Sequence, residues 1–96
     1  MSAPTVSDNA AEQRFERDTD HGTAVLSYRR DGDHLLLTHT EVPEAAEGDG
    51  HGGALVRAAF DHARREGLRV VPICPFVAAW VERHPDQADL VDRASR

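Results

Sequence analysis

The chain predicts an α/β fold of the α+β kind: one domain with a mixed, mostly antiparallel sheet of about four strands and two to three helices. Three observations carry this. Residues 13 to 42 alternate apolar and polar side chains between turn signals, the pattern of an antiparallel meander. Residues 39 to 75 read as strand, glycine-rich loop, helix and strand with no room for another turn, so the two strands pair in parallel through a right-handed crossover. Finally, a chain of 96 residues buries roughly 60–65% of its unfolded surface, enough for one core and not for two.

Residues 1 to 10 are small and polar, with Pro4, Ser7, Asp8 and Asn9, and read as a disordered tail ahead of a single domain over residues 11–96. Gln13 to Arg17 forms a short strand anchored by Phe15. Asp18-Thr19-Asp20-His21-Gly22 is turn chemistry. Thr23 to Tyr28 is the next strand, with Ala24, Leu26 and Tyr28 alternating against Thr23, Val25 and Ser27. Asp31-Gly32 predicts a type I′ hairpin turn, because both residues tolerate positive φ. Leu35 to Val42 follows as a strand. His39 shares parity with Leu35 and Leu37 there, which places it on the inward face.

From Gly53 to Glu66 the residues Leu55, Val56, Ala59, Phe60 and Ala63 fall at helical spacing. Arg57, Asp61, Arg64 and Arg65 take the wet side, with Asp61 and Arg65 spaced as an i,i+4 pair. Gly67 stands where a helix-ending glycine belongs. Leu68 to Cys74 is an apolar strand. Pro72 cannot donate to a ladder, so one side of this strand is unpaired around it. Cys74 caps a helix that starts at Pro75 and runs to about Arg83. His84-Pro85 ends it, and Asp86 to Val91 forms a last short helix.

Composition narrows the function. The chain has 11 Lys plus Arg against 17 Asp plus Glu, a net charge of −6. Every fixed positive charge is an arginine. An acidic surface without a basic stripe argues against nucleic acid as a partner. No apolar run approaches 18 residues, so no membrane span is expected. One cysteine rules out an internal disulfide and suits a reducing, cytoplasmic setting. A monomer or small homo-oligomer is the default. The histidines show no metal-ligand spacing, and no metal is expected.

The loop Glu47-Gly48-Asp49-Gly50-His51-Gly52-Gly53 opens directly into a helix. Such a turn brings backbone N–H groups close to a bound group, and the positive helix end favours an anion such as a phosphate. The loop is not the dinucleotide fingerprint, because no acidic residue ends the next strand. It is not a Walker loop, because the Gly-Lys-Ser/Thr ending is missing. A flexible surface turn is the competing reading.

Thr38-His39-Thr40-Glu41-Val42-Pro43, the loop with Gly48-Asp49-Gly50-His51-Gly52-Gly53-Ala54-Leu55-Val56, the stretch Val71-Pro72-Ile73-Cys74-Pro75-Phe76-Val77, and His84-Pro85 together resemble the small single-domain members of the GNAT acyl-CoA N-acyltransferase superfamily. The resemblance covers roughly residues 12 to 92. It implies a minimal acyl-CoA N-acyltransferase fold whose parallel strand pair splays open between Val42 and Cys74. It implies acetyl-CoA as co-substrate, with its pantetheine arm in that opening and its pyrophosphate on the loop. The implied cofactor contacts are Glu41, Val42, Gly48, Asp49, Gly50, His51, Gly52, Gly53, Pro75 and Phe76. Two departures stand out. Glu47 occupies the position where the family has Arg or Gln. Trp80 stands where the family often has a tyrosine, and an indole cannot serve as a general acid. His51 is either a phosphate donor when protonated or a solvated loop residue.

Cys74 and His39 are the catalytic candidates. In one reading Cys74 accepts the acyl group transiently, with His39 as the activating base. In the other, the amine attacks the thioester directly and Cys74 lines the tunnel; buried free cysteines are usually inert. The expected activity is acetyl-CoA-dependent N-acyl transfer to a primary amine, on a small molecule or a protein. The alternative is a CoA-binding or sensing module with little or no catalysis. A stabilising partner in a complex is a third reading.

Overall fold

A computed structural model describes residues 5–92. Five strands form one sheet in sequence order: β1 (Ser7–Asn9), β2 (Arg14–Thr19), β3 (Gly22–Asp31), β4 (His34–Glu41) and β5 (Arg69–Pro72). The first four pair antiparallel, and β5 pairs parallel with β4. Helix α1 (His51–Glu66) crosses between β4 and β5, and α2 (Pro75–Arg83) follows β5. Two 3-10 turns, Glu44–Ala46 and Pro85–Leu90, complete the chain. No helix among the described residues is long and apolar enough to cross a membrane.

The tail expectation needs correction. Residues 1–4 lie outside the described residues, but Ser7–Asn9 pairs with β2 as a fifth strand. Its residues are weak strand formers, so tertiary contacts hold it. The Tyr28 hydroxyl donates to the Asp8 carboxylate at 2.6 Å, and the Asn9 amide donates to Glu16 at 2.9 Å. Val6 packs against the core. Burial and the bond to Asp8 push the Tyr28 phenol up to about 12, so it remains the donor throughout the neutral range.

The β3–β4 turn also differs from expectation. Asp31 pairs with His34, so the two loop residues are Gly32 and Asp33. Only Gly32 takes positive φ, +60°. Positive φ at the first loop residue alone is the signature of a type II′ turn, not I′.

One face of the sheet carries the core. Phe15, Ala24, Leu26, Tyr28, Leu35, Leu37 and Val70 meet Leu55, Val56, Ala59, Phe60 and Ala63 of α1, the helical face the spacing predicts. Val77, Trp80 and Val81 of α2 join the same cluster. Phe60 is fully buried, and its ring centroid lies 5.2 Å from that of Trp80. Gly67 ends α1 at φ +71°, and its N–H reaches the Ala63 carbonyl. Arg64 bonds Asp89 and Gln87 across to the Pro85–Leu90 turn. Arg65 makes no ion pair with Asp61 among the described residues.

A β-bulge interrupts the meander. Ser27 pairs with His39 while Tyr28 pairs with Leu37, so Thr38 is an extra residue. Because side chains alternate along a strand, one inserted residue reverses every position after it. Leu35 and Leu37 face the core; beyond the bulge it is Thr40, opposite buried Leu26, that faces inward.

Candidate functional site

The parallel ladder ends at Leu37↔Pro72. Cys74 N–H still reaches the Leu37 carbonyl at 2.9 Å. After that β4 continues from Thr38 to Glu41 with no strand partner on this side among the described residues, while the chain after Pro72 turns into α2. The divergence expected at Pro72 is therefore present, and a proline fits because the strand ends there.

Cys74 is the N-cap of α2, as the sequence predicts. The residue is 6% exposed. Its polar partner is Thr40, with Oγ1 and Sγ 3.4 Å apart. Burial pushes the thiol pKa up. The Thr40 hydroxyl and the amides of Val77 and Phe76 favour the thiolate and outweigh it, so the thiol lies below its ordinary value. The sulfur makes no formal cap hydrogen bond.

His39 is not brought to Cys74. The bulge at Thr38 sends its side chain to the opposite face of the sheet, where it is 64% exposed and 3.9 Å from Glu41. The inward parity with Leu35 and Leu37 is lost at that single residue, and Thr40 takes the place beside the sulfur.

The glycine loop opens α1 as expected, but its glycines serve two different needs. Gly48 and Gly50 take φ of +91° and +84°, and a Cβ at either would project into open space. Gly50 is the N-cap, and the first helical bond runs from Ala54 N–H to its carbonyl at 3.1 Å. The amides of His51, Gly52 and Gly53 thus have no helical acceptor. Gly52 is instead needed for packing against α2, whereas a Cβ at Gly53 would make only ordinary contact. A Cβ on Gly52 would lie 2.7 Å from the Phe76 ring, and one on Gly53 would lie 3.7 Å from the Trp80 indole nitrogen.

These parts enclose a groove of about 860 Å³. Of the cofactor contacts that the resemblance implies, Val42, Gly48, Gly50, His51, Gly52, Gly53 and Phe76 line the groove. Glu41, Asp49 and Pro75 are exposed and do not line it. Glu47 does, with its side chain exposed to water.

Several lining residues escaped the sequence reading. Thr40 was hidden by the bulge. Arg57, Trp80, Arg83 and His84 also border the groove. The Arg57 guanidinium carbon lies 5.4 Å from the Trp80 ring centroid. His84 is half-buried. Its ring stacks on Trp80 at 4.0 Å, and its Nδ1 sits 2.8 Å from the Trp80 carbonyl oxygen. The available signal was spacing: Gly53 and Arg57, and Trp80 and His84, are each one helical turn apart. Arg17 is a further residue with no sequence signal. It reaches from β2 to donate to His51 at 3.0 Å.

The arrangement offers hydrogen-bond donors and positive charge to an anionic ligand. The first turn of α1, whose amides lack helical acceptors, lines the groove together with Arg57 and Arg83, and Thr40, 3.4 Å from the Cys74 sulfur, borders it.

Comparison with known proteins agrees with this geometry. The profile of a GCN5-related N-acetyl-transferase family matches residues 14–90. Protein NATD1 from Bos taurus is 38% identical over 66 residues, which is 68% of this chain and 58% of that protein. Protein NATD1 from Mus musculus is 36% identical over 66 residues, 60% of its length. The chain therefore spans about three-fifths of these curated relatives. The NMR solution structure of a GCN5-like protein from Staphylococcus aureus superposes with a TM-score of 0.72 at 26% identity, covering 96% of this chain and 91% of that one. By fold, groove and profile, the chain belongs to the GCN5-related N-acetyltransferase family.

Proposed function

We propose that the protein is an acetyl-CoA-dependent N-acyltransferase that moves an acetyl group to a primary amine. One observation carries the reading: the gap between β4 and β5 at Thr40 and Cys74 lies beside a groove lined by the first turn of α1 and by Arg57 and Arg83. The diphosphate of the donor would sit on the amides of residues 48–53. Gly48 and Gly50 leave room for its close approach, and the α1 dipole favours its charge. Glu47 opposes this, but exposed to water it costs no more than about 0.3–1 kcal/mol.

Transfer requires the amine nitrogen to attack the thioester carbonyl, the carbon–sulfur bond to break and the departing thiolate to gain a proton. Direct attack fits the site better than a covalent relay. A relay needs a base at the thiol, and the polar side chain there is the Thr40 hydroxyl, with His39 on the other face. Cys74 and Thr40 then line the point where the arm passes between the strands. The acceptor is a small-molecule or protein amine, and an acidic chain attracts a cationic one.

The test is release of free CoA thiol across a panel of amines and basic peptides. Acceptor-dependent release supports the reading. Binding of acetyl-CoA with release at the background rate for every acceptor supports instead a CoA-binding module, a reading that Glu47 and the separation of His39 from Cys74 favour. Absence of acetyl-CoA binding would leave the stabilising role.

A further inference from the structure

The loop that opens α1 carries two carboxylates, Glu47 and Asp49, and no fixed cation. Arg57 and Arg83 lie on the helices that border the groove, not on this loop. A diphosphate on the loop amides would meet Glu47 with no positive side chain of the loop itself to offset it. The nearest guanidinium bonded to this turn comes from a distant part of the chain. Arg17 pairs with Ala24 on β3 and therefore shares the core-side face with it. From there its Nε donates to Nδ1 of His51 at 3.0 Å.

That bond fixes the chemistry of the imidazole. A nitrogen that accepts from a guanidinium carries no proton, so the ring proton sits on Nε2. His51 lines the groove. It can therefore offer Nε2–H as a donor, polarised from behind by a cation that is always charged. The terminal nitrogens of Arg17 make no other hydrogen bond or ion pair among the described residues.

We propose that Arg17 is a positioning residue for the donor's diphosphate. Acting through His51, it supplies the positive charge that the loop itself lacks. This deepens the acetyl-CoA reading and rests on it. The pair selects for a phosphate-bearing donor over the same arm without phosphate.

The experiment compares CoA with pantetheine, which has the thiol arm and no phosphate, by NMR titration of wild type, Arg17→Gln, His51→Ala and the double variant. Arg17→Gln and His51→Ala are each expected to weaken CoA about tenfold, the scale of one charge-assisted hydrogen bond. Pantetheine affinity should stay within twofold of wild type. The double variant should bind CoA no worse than His51→Ala, because Arg17 acts through that ring. Equal losses for both ligands, additive losses in the double variant, or CoA binding unchanged by Arg17→Gln would overturn the pair while leaving the acetyl-CoA reading in place. Wild type that binds no CoA would remove that reading and the pair together. Should Arg17→Gln fail to fold, His51→Ala at the loop end decides the question through the same comparison of ligands.

Discussion

Thr38 fills the bulge opposite Ser27 and Tyr28, and its hydroxyl donates to the Ser27 carbonyl at 3.2 Å. Its presence puts Thr40 rather than His39 against Cys74, and two predictions follow from that exchange. Thr40→Val removes the hydroxyl that favours the thiolate. The pH at which Cys74 becomes reactive to an alkylating agent should then move upward from its wild-type midpoint, since the wild-type value is held low. An unchanged midpoint would show that the hydroxyl does not act on the sulfur. Cys74→Ala should keep acetyl transfer within a few-fold of wild type if attack is direct. Loss of about a thousandfold or more in steady-state turnover would reinstate the covalent route. At the loop, Gly50→Ala meets no steric neighbour but must hold φ at +84°. A cost of about 1–2 kcal/mol in chemical denaturation is expected. The glycine loop and Cys74 were legible as chemistry because residue type and local spacing define them. The partner of Cys74 was not, because a bulge leaves no mark on the apolar pattern of Leu35-Leu36-Leu37 before it.

Among the elements, α2 was readable to the residue and α1 to within two residues of its start, and the expected last short helix is a 3-10 turn. Gly50 and Gly67 bracket α1, and Pro75 and His84 bracket α2. Strand β1 was not, since Ser7-Asp8-Asn9 is held by side-chain bonds to Tyr28 and Glu16 instead of by its own propensity. A second side-chain tie joins the β3–β4 turn to the end of the described chain. His34 Nε2 lies 2.7 Å from Asp92 and its Nδ1 lies 3.1 Å from Asp33. Both carboxylates accept, so both ring nitrogens are best protonated. The bond to Asp92 raises the imidazole pKa above its ordinary value, partly opposed by desolvation and helped by the charges of Asp33, Asp92 and Asp31. The sign follows from linkage. A raised folded-state value contributes stability in full below about pH 6.5, the unfolded value. That contribution is lost as the pH climbs through the folded-state value. Thermal midpoints measured from acid to alkaline pH should therefore decline across this window in wild type, and the decline should be smaller in His34→Gln. Parallel curves for the two proteins would remove His34 as the cause.

For the whole molecule, one core supports both the sheet and the groove. Phe60 bridges them, touching Trp80 from within the buried cluster. Phe60→Ala should cost about 3–5 kcal/mol. For a domain of this size that is a large share of its total stability. It should also loosen Trp80 and weaken donor binding beyond the effect of stability alone, which denaturation and titration together would show. The fold class was legible because turn chemistry, helical spacing and a forced crossover all agreed. The groove itself is built by long-range packing, in which Thr40, Arg57 and His84 come from segments far apart in the chain. The account as a whole is tested most directly by following backbone amides in an NMR titration with acetyl-CoA. Saturable shifts at residues 48–53, together with Thr40, Val42 and Cys74, are the result it predicts. A spectrum in which those amides stay in place at millimolar ligand would contradict it.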